Sequence, residues 1–240
     1  MRTWKTKSGY KIIQVLAGRS NVFLLSDRTK HILIDTSAGF MYRVLKKRLE
    51  RMNISQIDLL ILTHTHFDHA ANANRIKNDF NARVLVHQDE AAFLRKGDMA
   101  VHKGTNRFTR LIIKLFSKRF IKFTGYEPCS ADLIVDLTLS LSEIGFNAFI
   151  LHTPGHTSGS VSVIIDDEIA LVGDTMFGIF PWTVYPPFAN DPSMLIESWG
   201  KLLQTGCTVF IPSHGRANIR KLVQRDFEAR KEDRRGPDNS

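Results

Sequence analysis

Residues Asp58 to Asn72 read DLLILTHTHFDHAAN, an apolar run that ends in three histidines and an aspartate between positions 64 and 69. The run Asp58 to Thr63 is too short for a helix and reads as a strand buried on both faces. A packed core has no use for so many ionisable groups, and a solvated turn rarely carries histidine three times, so metal ligation is the reading that accounts for them. In an extended or tightly turning chain, residues two apart point to one side. His64 and His66 can then face one ion, while Asp68 and His69 turn toward a second. Two ligands each hold neither ion tightly. The stretch therefore demands a fold in which other strands end at the same place and bring more ligands.

The rest of the chain supplies such strands. Tyr10–Ala17, Asn21–Ser26 and His31–Asp35 are rich in β-branched and apolar residues and are separated by turn material, which predicts antiparallel strands. Phe40–Met52 spaces Val44, Leu45, Leu49 and Met52 as a helix closed by Asn53. Beyond the histidines, Ala70–Phe80 reads as a helix, Arg83–His87 as a strand and Asp89–Lys96 as a short helix. The second half predicts strands at Phe149–His152, Ser160–Ile165, Ile169–Val172 and Thr208–Ile211, a helix over Pro192–Gln204, and a last helix from Arg216 to about Arg230. Strands come first and helices later in each half. That order fits an α/β chain with two sheets packed face to face and helices outside.

Three further residues share one local pattern: an apolar strand, a turn residue, then histidine or aspartate. They are His156 in HTPGHTSGS, Asp174 in ALVGDTMF and His214 in VFIPSHGRA. Any one alone would read as a turn residue or a satisfied core histidine. Their repetition points to a single site.

With ILIDT, THTHFDH, TPGHTSGS, LVGDT and PSHG in this order over about Gly18 to His214, the chain resembles the metallo-β-lactamase fold superfamily of mostly dinuclear metal hydrolases. The resemblance implies a four-layer αββα sandwich of two mixed β-sheets flanked by helices, expected as one domain over residues 1–230, while the polar composition of KEDRRGPDNS predicts a flexible tail at 231–240. It implies that His64, His66 and His156 bind a first metal, that Asp68, His69 and His214 bind a second, and that Asp174 bridges them. Asp35, at the end of ILID, corresponds to a supporting carboxylate that orients a ligand imidazole. The ligands are all nitrogen or oxygen, which suits two Zn(II) ions and also Fe or Mn. Cations held about 3.5–4 Å apart would acidify a bridging water to hydroxide, so no serine or cysteine nucleophile is needed. Asp68 is the catalytic candidate, placed to orient that hydroxide and pass on its proton.

Composition narrows the function without choosing a substrate. The 240 residues are 43% hydrophobic and 24% charged, enough for one domain with a real core. Cys129 and Cys207 are far apart and indicate neither a disulfide framework nor a cysteine zinc site. No secretory leader and no run of about 18 apolar residues is apparent, so the expectation is a cytoplasmic protein with no transmembrane segment. That absence, together with Asp174, argues against the secreted antibiotic hydrolases of the superfamily. The glyoxalase II enzymes resemble the whole ligand set, although GDTMFGIFPW departs from their sequence at that point and little chain follows His214 for a glutathione-binding helical domain. His66 stands where the flavodiiron proteins carry a glutamate. The expected reaction is hydrolysis of an ester-like bond, thioester or lactone, in a small-molecule substrate that is anionic or acylated. The net charge of +9 keeps a phosphodiesterase or nuclease acting on nucleic acid as the alternative, beside a metal-bearing module that binds without catalysis. Oligomeric state is not legible.

Other features have plainer readings. His31, His87, His102 and His152 lack the strand-end pattern and read as ordinary, with His87 and His152 near the site. Arg107–Phe123 places an apolar stripe opposite basic residues and reads as a helix packed on the core, with a lid or membrane contact behind it. Gly178–Phe188, GIFPWTVYPPF, is too rich in proline and aromatics for a regular element and offers Phe180, Trp182 and Tyr185 as a pocket wall.

Overall fold

A computed structural model describes residues 1–99, 105 and 125–235. His102 and the basic segment Arg107–Phe123 lie outside the described residues. Seven strands form the first sheet in sequence order: β1 (Thr3–Lys5), β2 (Lys11–Leu16), β3 (Val22–Ser26), β4 (His31–Ile34), β5 (Leu59–Ile61), β6 (Arg83–His87) and β7 (Leu133–Val135). Its first four strands are an antiparallel meander, and β4 through β7 run parallel. The second sheet has six strands in the order β13-β12-β11-β10-β9-β8. They are β8 (Thr138–Ser140), β9 (Ala148–His152), β10 (Val161–Ile165), β11 (Ile169–Gly173), β12 (Val209–Pro212) and β13 (Asn218–Ile219).

The period of two along each strand divides the apolar residues between two faces. Phe23, Leu25, Ile32, Ile34, Leu59, Ile61 and Leu85 pack inward against Ile150, Val161, Val163, Ile165, Leu171 and Ile211 of the other sheet. The alternate residues Leu24, Leu33, Leu60, Val84 and Val86 face outward, where α1 (Tyr42–Arg51), α3 (Ala73–Asp79) and α4 (Gln88–Lys96) cover them with Leu45, Leu49, Ile76 and Leu94. Behind the second sheet, Ile164, Ala170, Val172 and Phe210 meet α5 (Pro192–Gln204) and α6 (Arg220–Arg235) through Leu195, Trp199, Leu202 and Val223. Three apolar layers thus separate four layers of secondary structure, the αββα sandwich. β5 reads as continuously apolar because both of its faces are covered.

Several boundaries differ from the sequence expectation for identifiable reasons. The helix expected over Ala70–Phe80 is broken into α2 (Phe67–Ala70) and α3, because the buried Asn72 amide donates to the carbonyls of Thr36, Ser37 and Ala38 and pulls its own backbone out of helical conformation. Ala70 therefore closes a short helix that begins within the histidine motif. The last helix begins at Arg220, after β13 has paired antiparallel with β12, and it runs to Arg235, past Arg230. The Arg220 guanidinium fixes that start by donating to the carbonyls of Cys207 and Leu203. Strands β1, β7 and β8 were not foreseen; with three residues each they are too short to show periodicity. Pro192–Gln204 is helical as expected, with Asp191 capping it through Ser193 N and Met194 N and Pro192 in its first turn.

Strand direction places the site. β4 and β5 run parallel, and in the other sheet β9, β11 and β12 share one direction, since β10 is antiparallel to both β9 and β11. Asp35, the histidine motif, His156, Asp174 and His214 all follow the carboxyl ends of these five strands, along one edge of the sandwich. Trp199 clamps that edge from behind: it is fully buried, and its Nε1 donates to Thr175 O at 2.7 Å, next to Asp174. Trp199→Ala is expected to cost about 3–5 kcal/mol, read as a lowered denaturant midpoint at unchanged m value.

Candidate metal centre

The buried carboxylate of Asp35 organises the base of the site. It accepts from Thr63 N at 2.8 Å, Thr63 Oγ1 at 2.9 Å, His69 Nδ1 at 2.9 Å and Ser213 Oγ at 3.1 Å. Its own backbone sits at φ +62°, a left-handed conformation that aspartate tolerates better than most residues. Because the Thr63 hydroxyl donates to Asp35, its lone pair is left to accept from His64 Nδ1 at 3.1 Å. His156 Nδ1 donates to Phe188 O at 2.9 Å. These bonds fix the tautomers of His64, His69 and His156 with Nε2 turned toward the cluster, as partners behind metal-ligating histidines do.

The seven predicted residues come together. His64, His66 and His156 form one group with ligand atoms within 4.8 Å of one another; Asp68, His69 and His214 form another; and Asp174 joins His64 and His69 in a third between them. His156 Nε2 lies 3.0 Å from His66 Nδ1, and Asp174 lies 3.5 Å from both His69 Nε2 and His156 Nε2 and 3.2 Å from His214 Nε2. Asp68, the most exposed of the three carboxylates around this cluster, stands 3.7 Å from His214 and 3.9 Å from His69.

Two observations test whether a divalent cation fits. His69 Nε2 and Asp174 Oδ1 are both buried, and neither takes a hydrogen bond; such atoms cost about 1–3 kcal/mol each unless something else satisfies them. The charges point the same way. Burial disfavours a charged His69, but the carboxylates of Asp174, Asp35 and Asp68 outweigh it and push the imidazole up to about 10. His214 is also raised, against burial, by Asp174. Burial alone would raise Asp174, yet His214 and His69 hold it well below the usual carboxylate range. His156 is pushed down by its burial. The cluster thus calls for positive charge around Asp174, which protons supply when no cation does.

Sequence reasoning missed three contributors. Glu90, buried in α4, accepts from Thr65 N at 3.0 Å and from the Thr65 hydroxyl, and so holds the residue between His64 and His66. Tyr126 Oη donates to Thr65 O. Phe177 stacks on the His214 ring at 4.7 Å. Glu90 and Tyr126 belong to no local motif, whereas Phe177 sat inside GDTMF without being singled out. Of the expected pocket wall, Phe180 and Trp182 are exposed and stack on each other. Tyr185 instead packs edge-on against Trp199 beneath the Arg230 guanidinium, because Asp226 binds Thr183 and Val184 and turns the chain inward. His87 and His152 stack on each other and bond to Asp136 O and Ser158 O, outside the cluster.

A family model described as the metallo-beta-lactamase superfamily matches residues 15–235, and the chain belongs to that superfamily. It is a metal-dependent hydrolase. It is similar to a probable metallo-hydrolase of Methanocaldococcus jannaschii, at 32% identity over 165 residues that cover 68% of this chain and 71% of the relative. A hydroxyacylglutathione hydrolase of Haemophilus influenzae is 29% identical over 169 residues, covering 70% of this chain and 71% of that protein. Among solved structures, the BLEG-1 B3 metallo-beta-lactamase superposes with a TM-score of 0.66 at 20% identity, over 90% of this chain and 96% of its own. An archaeal superfamily protein from Sulfolobus tokodaii gives 0.61 at 19%, over 88% and 79%. These two likenesses are of fold. No helix among the described residues is long and apolar enough to cross a membrane.

Two outcomes are expected. Asp35→Asn places an amide against His69 Nδ1–H and should lower metal affinity about 10- to 100-fold, measured by competition with a chromophoric chelator. Metal uptake should release protons, because His69 is protonated below about 10 in the metal-free protein. Affinity should therefore rise with pH up to that value, and calorimetry in buffers of different ionisation enthalpy should show the release.

Proposed function

We propose that this cluster holds two divalent cations, zinc first among them, and that the enzyme hydrolyses an ester-like bond, a thioester before a lactone. His64, His66 and His156 would hold one ion, Asp68, His69 and His214 the other, with Asp174 shared. The observation that carries the two-ion reading is the buried Asp174 carboxylate set within 3.5 Å of histidines from both groups. The thioester preference draws on the likeness to the hydroxyacylglutathione hydrolase.

Bound cations supply a polarised carbonyl oxygen and a water acidified toward hydroxide near neutral pH. The protein's own groups do the rest. Asp68 is partly exposed, with both oxygens facing His69 and His214, so it can orient the attacking water, take its proton and deliver that proton to the departing sulfur. The C–S bond breaks as the C–O bond forms, giving a carboxylic acid and a thiol. Phe177 keeps one side of His214 apolar and holds the ring in place.

Elemental analysis of the purified protein, followed by assays on a thioester, a lactone and bis-nitrophenyl phosphate, tests this reading. Two metals per chain and fastest turnover of the thioester are expected, with Asp174→Asn losing metal and at least 100-fold in rate. Full activity of that variant at unchanged metal content would overturn the assignment. Fastest turnover of the phosphodiester would move the enzyme to the nuclease class, and two metals with no turnover to the binding modules.

A further inference from the structure

Beside the metal centre lies a cavity of about 230 Å³ lined by Arg2, Gln14, Ala17, Gly18, Asn21, Gly215 and Arg216. Two of its chain segments are also segments of the centre. Gly215 and Arg216 directly follow His214, and Ser20, next to Asn21, donates from its hydroxyl to Asp68 O.

Its charged lining consists of Arg2 and Arg216 alone, and no carboxylate among the described residues lies within ion-pair distance of either guanidinium. The walls are held in shape by buried amides. Asn21 Nδ2 donates to Pro212 O at 3.0 Å and Gly215 O at 3.1 Å, Asn21 N donates to Ser213 O at 2.7 Å, and Gln14 Nε2 donates to Asn21 Oδ1 at 2.8 Å. The hairpin between β2 and β3 is thereby clamped to the loop that carries His214.

We propose that this cavity is an oxyanion subsite that takes a carboxylate or phosphate carried by the substrate, away from the bond that is cleaved. A guanidinium is a permanent cation with a planar donor fork matched to such groups. Two of them line one wall, and neither has a carboxylate partner among the described residues, so both are open to an anion. The net charge of +9 favours the same class of ligand over longer range. For its substrate the inference rests on the ester-hydrolase reading; its test does not require turnover.

The test uses the metal-loaded full chain and three uncleavable thioethers of one skeleton, ending in a carboxylate, a phosphate or a methyl amide. Calorimetry should show an anionic analogue binding about 10-fold or more tighter than the amide, the difference that one charge-assisted pair supplies. In Arg2→Gln/Arg216→Gln at unchanged metal content that ratio should fall to near one, and in the wild type it should shrink as salt is raised. The arm with the larger ratio tells carboxylate from phosphate. Equal binding of all three in the wild type, or a preference that survives the double substitution, overturns the subsite. If the preference is present but no thioester, lactone or phosphodiester is cleaved, the subsite stands and the hydrolytic reading of this chain's substrate falls. Cleavage without charge preference gives the reverse.

Discussion

The Asp35 carboxylate joins two paired strands of the first sheet to a strand of the second with which they share no pairing. It follows β4, it receives two bonds from the residue at the end of the β5 run and one from Ser213 at the end of β12, and it fixes the His69 imidazole. One buried anion thus ties the first sheet to the second at the edge where the functional side chains gather. Its desolvation is tolerable because four donors surround it. The same bonds that satisfy it set which nitrogen of His69 faces the cluster.

The division of labour between motif and scaffold explains what the sequence made legible. The seven ligand candidates were visible because each stands in a short contiguous pattern: four in HTHFDH directly after an apolar strand, and three where an apolar strand and a glycine or proline lead into the functional side chain. The two-sheet architecture followed from the same runs. What stayed hidden depends on contacts distant in sequence. Asn72 breaks a helix by bonding to carbonyls at 36–38, Glu90 supports Thr65 from another helix, and Asp226 turns Tyr185 away from solvent. No local pattern announces such bonds. The substrate is hidden for a related reason, since the residues that shape its path come from several unrelated loops.

The cluster also illustrates how charge is balanced inside a fold. Three aspartates and five imidazoles stand within a few ångströms, and the carboxylates raise His69 and His214 while burial lowers His156. The asymmetry follows from position: all three rings lie within 3.5 Å of Asp174, but His69 and His214 also face Asp68, whereas His156 packs against His64 and His66. The two halves of the centre are thus electrically unlike before any ion arrives.

Because the turns that carry the candidate ligands come from both sheets, a cation held among them would cross-link the two halves of the sandwich. Anything that binds only the folded state stabilises it by mass action, about 2.7 kcal/mol at a hundredfold excess over the dissociation constant. With a cation at the proposed site, the persistence of this protein would be coupled to the metal supply around it: scarcity would remove the activity and the fastening together, leaving an idle enzyme more easily unfolded and degraded.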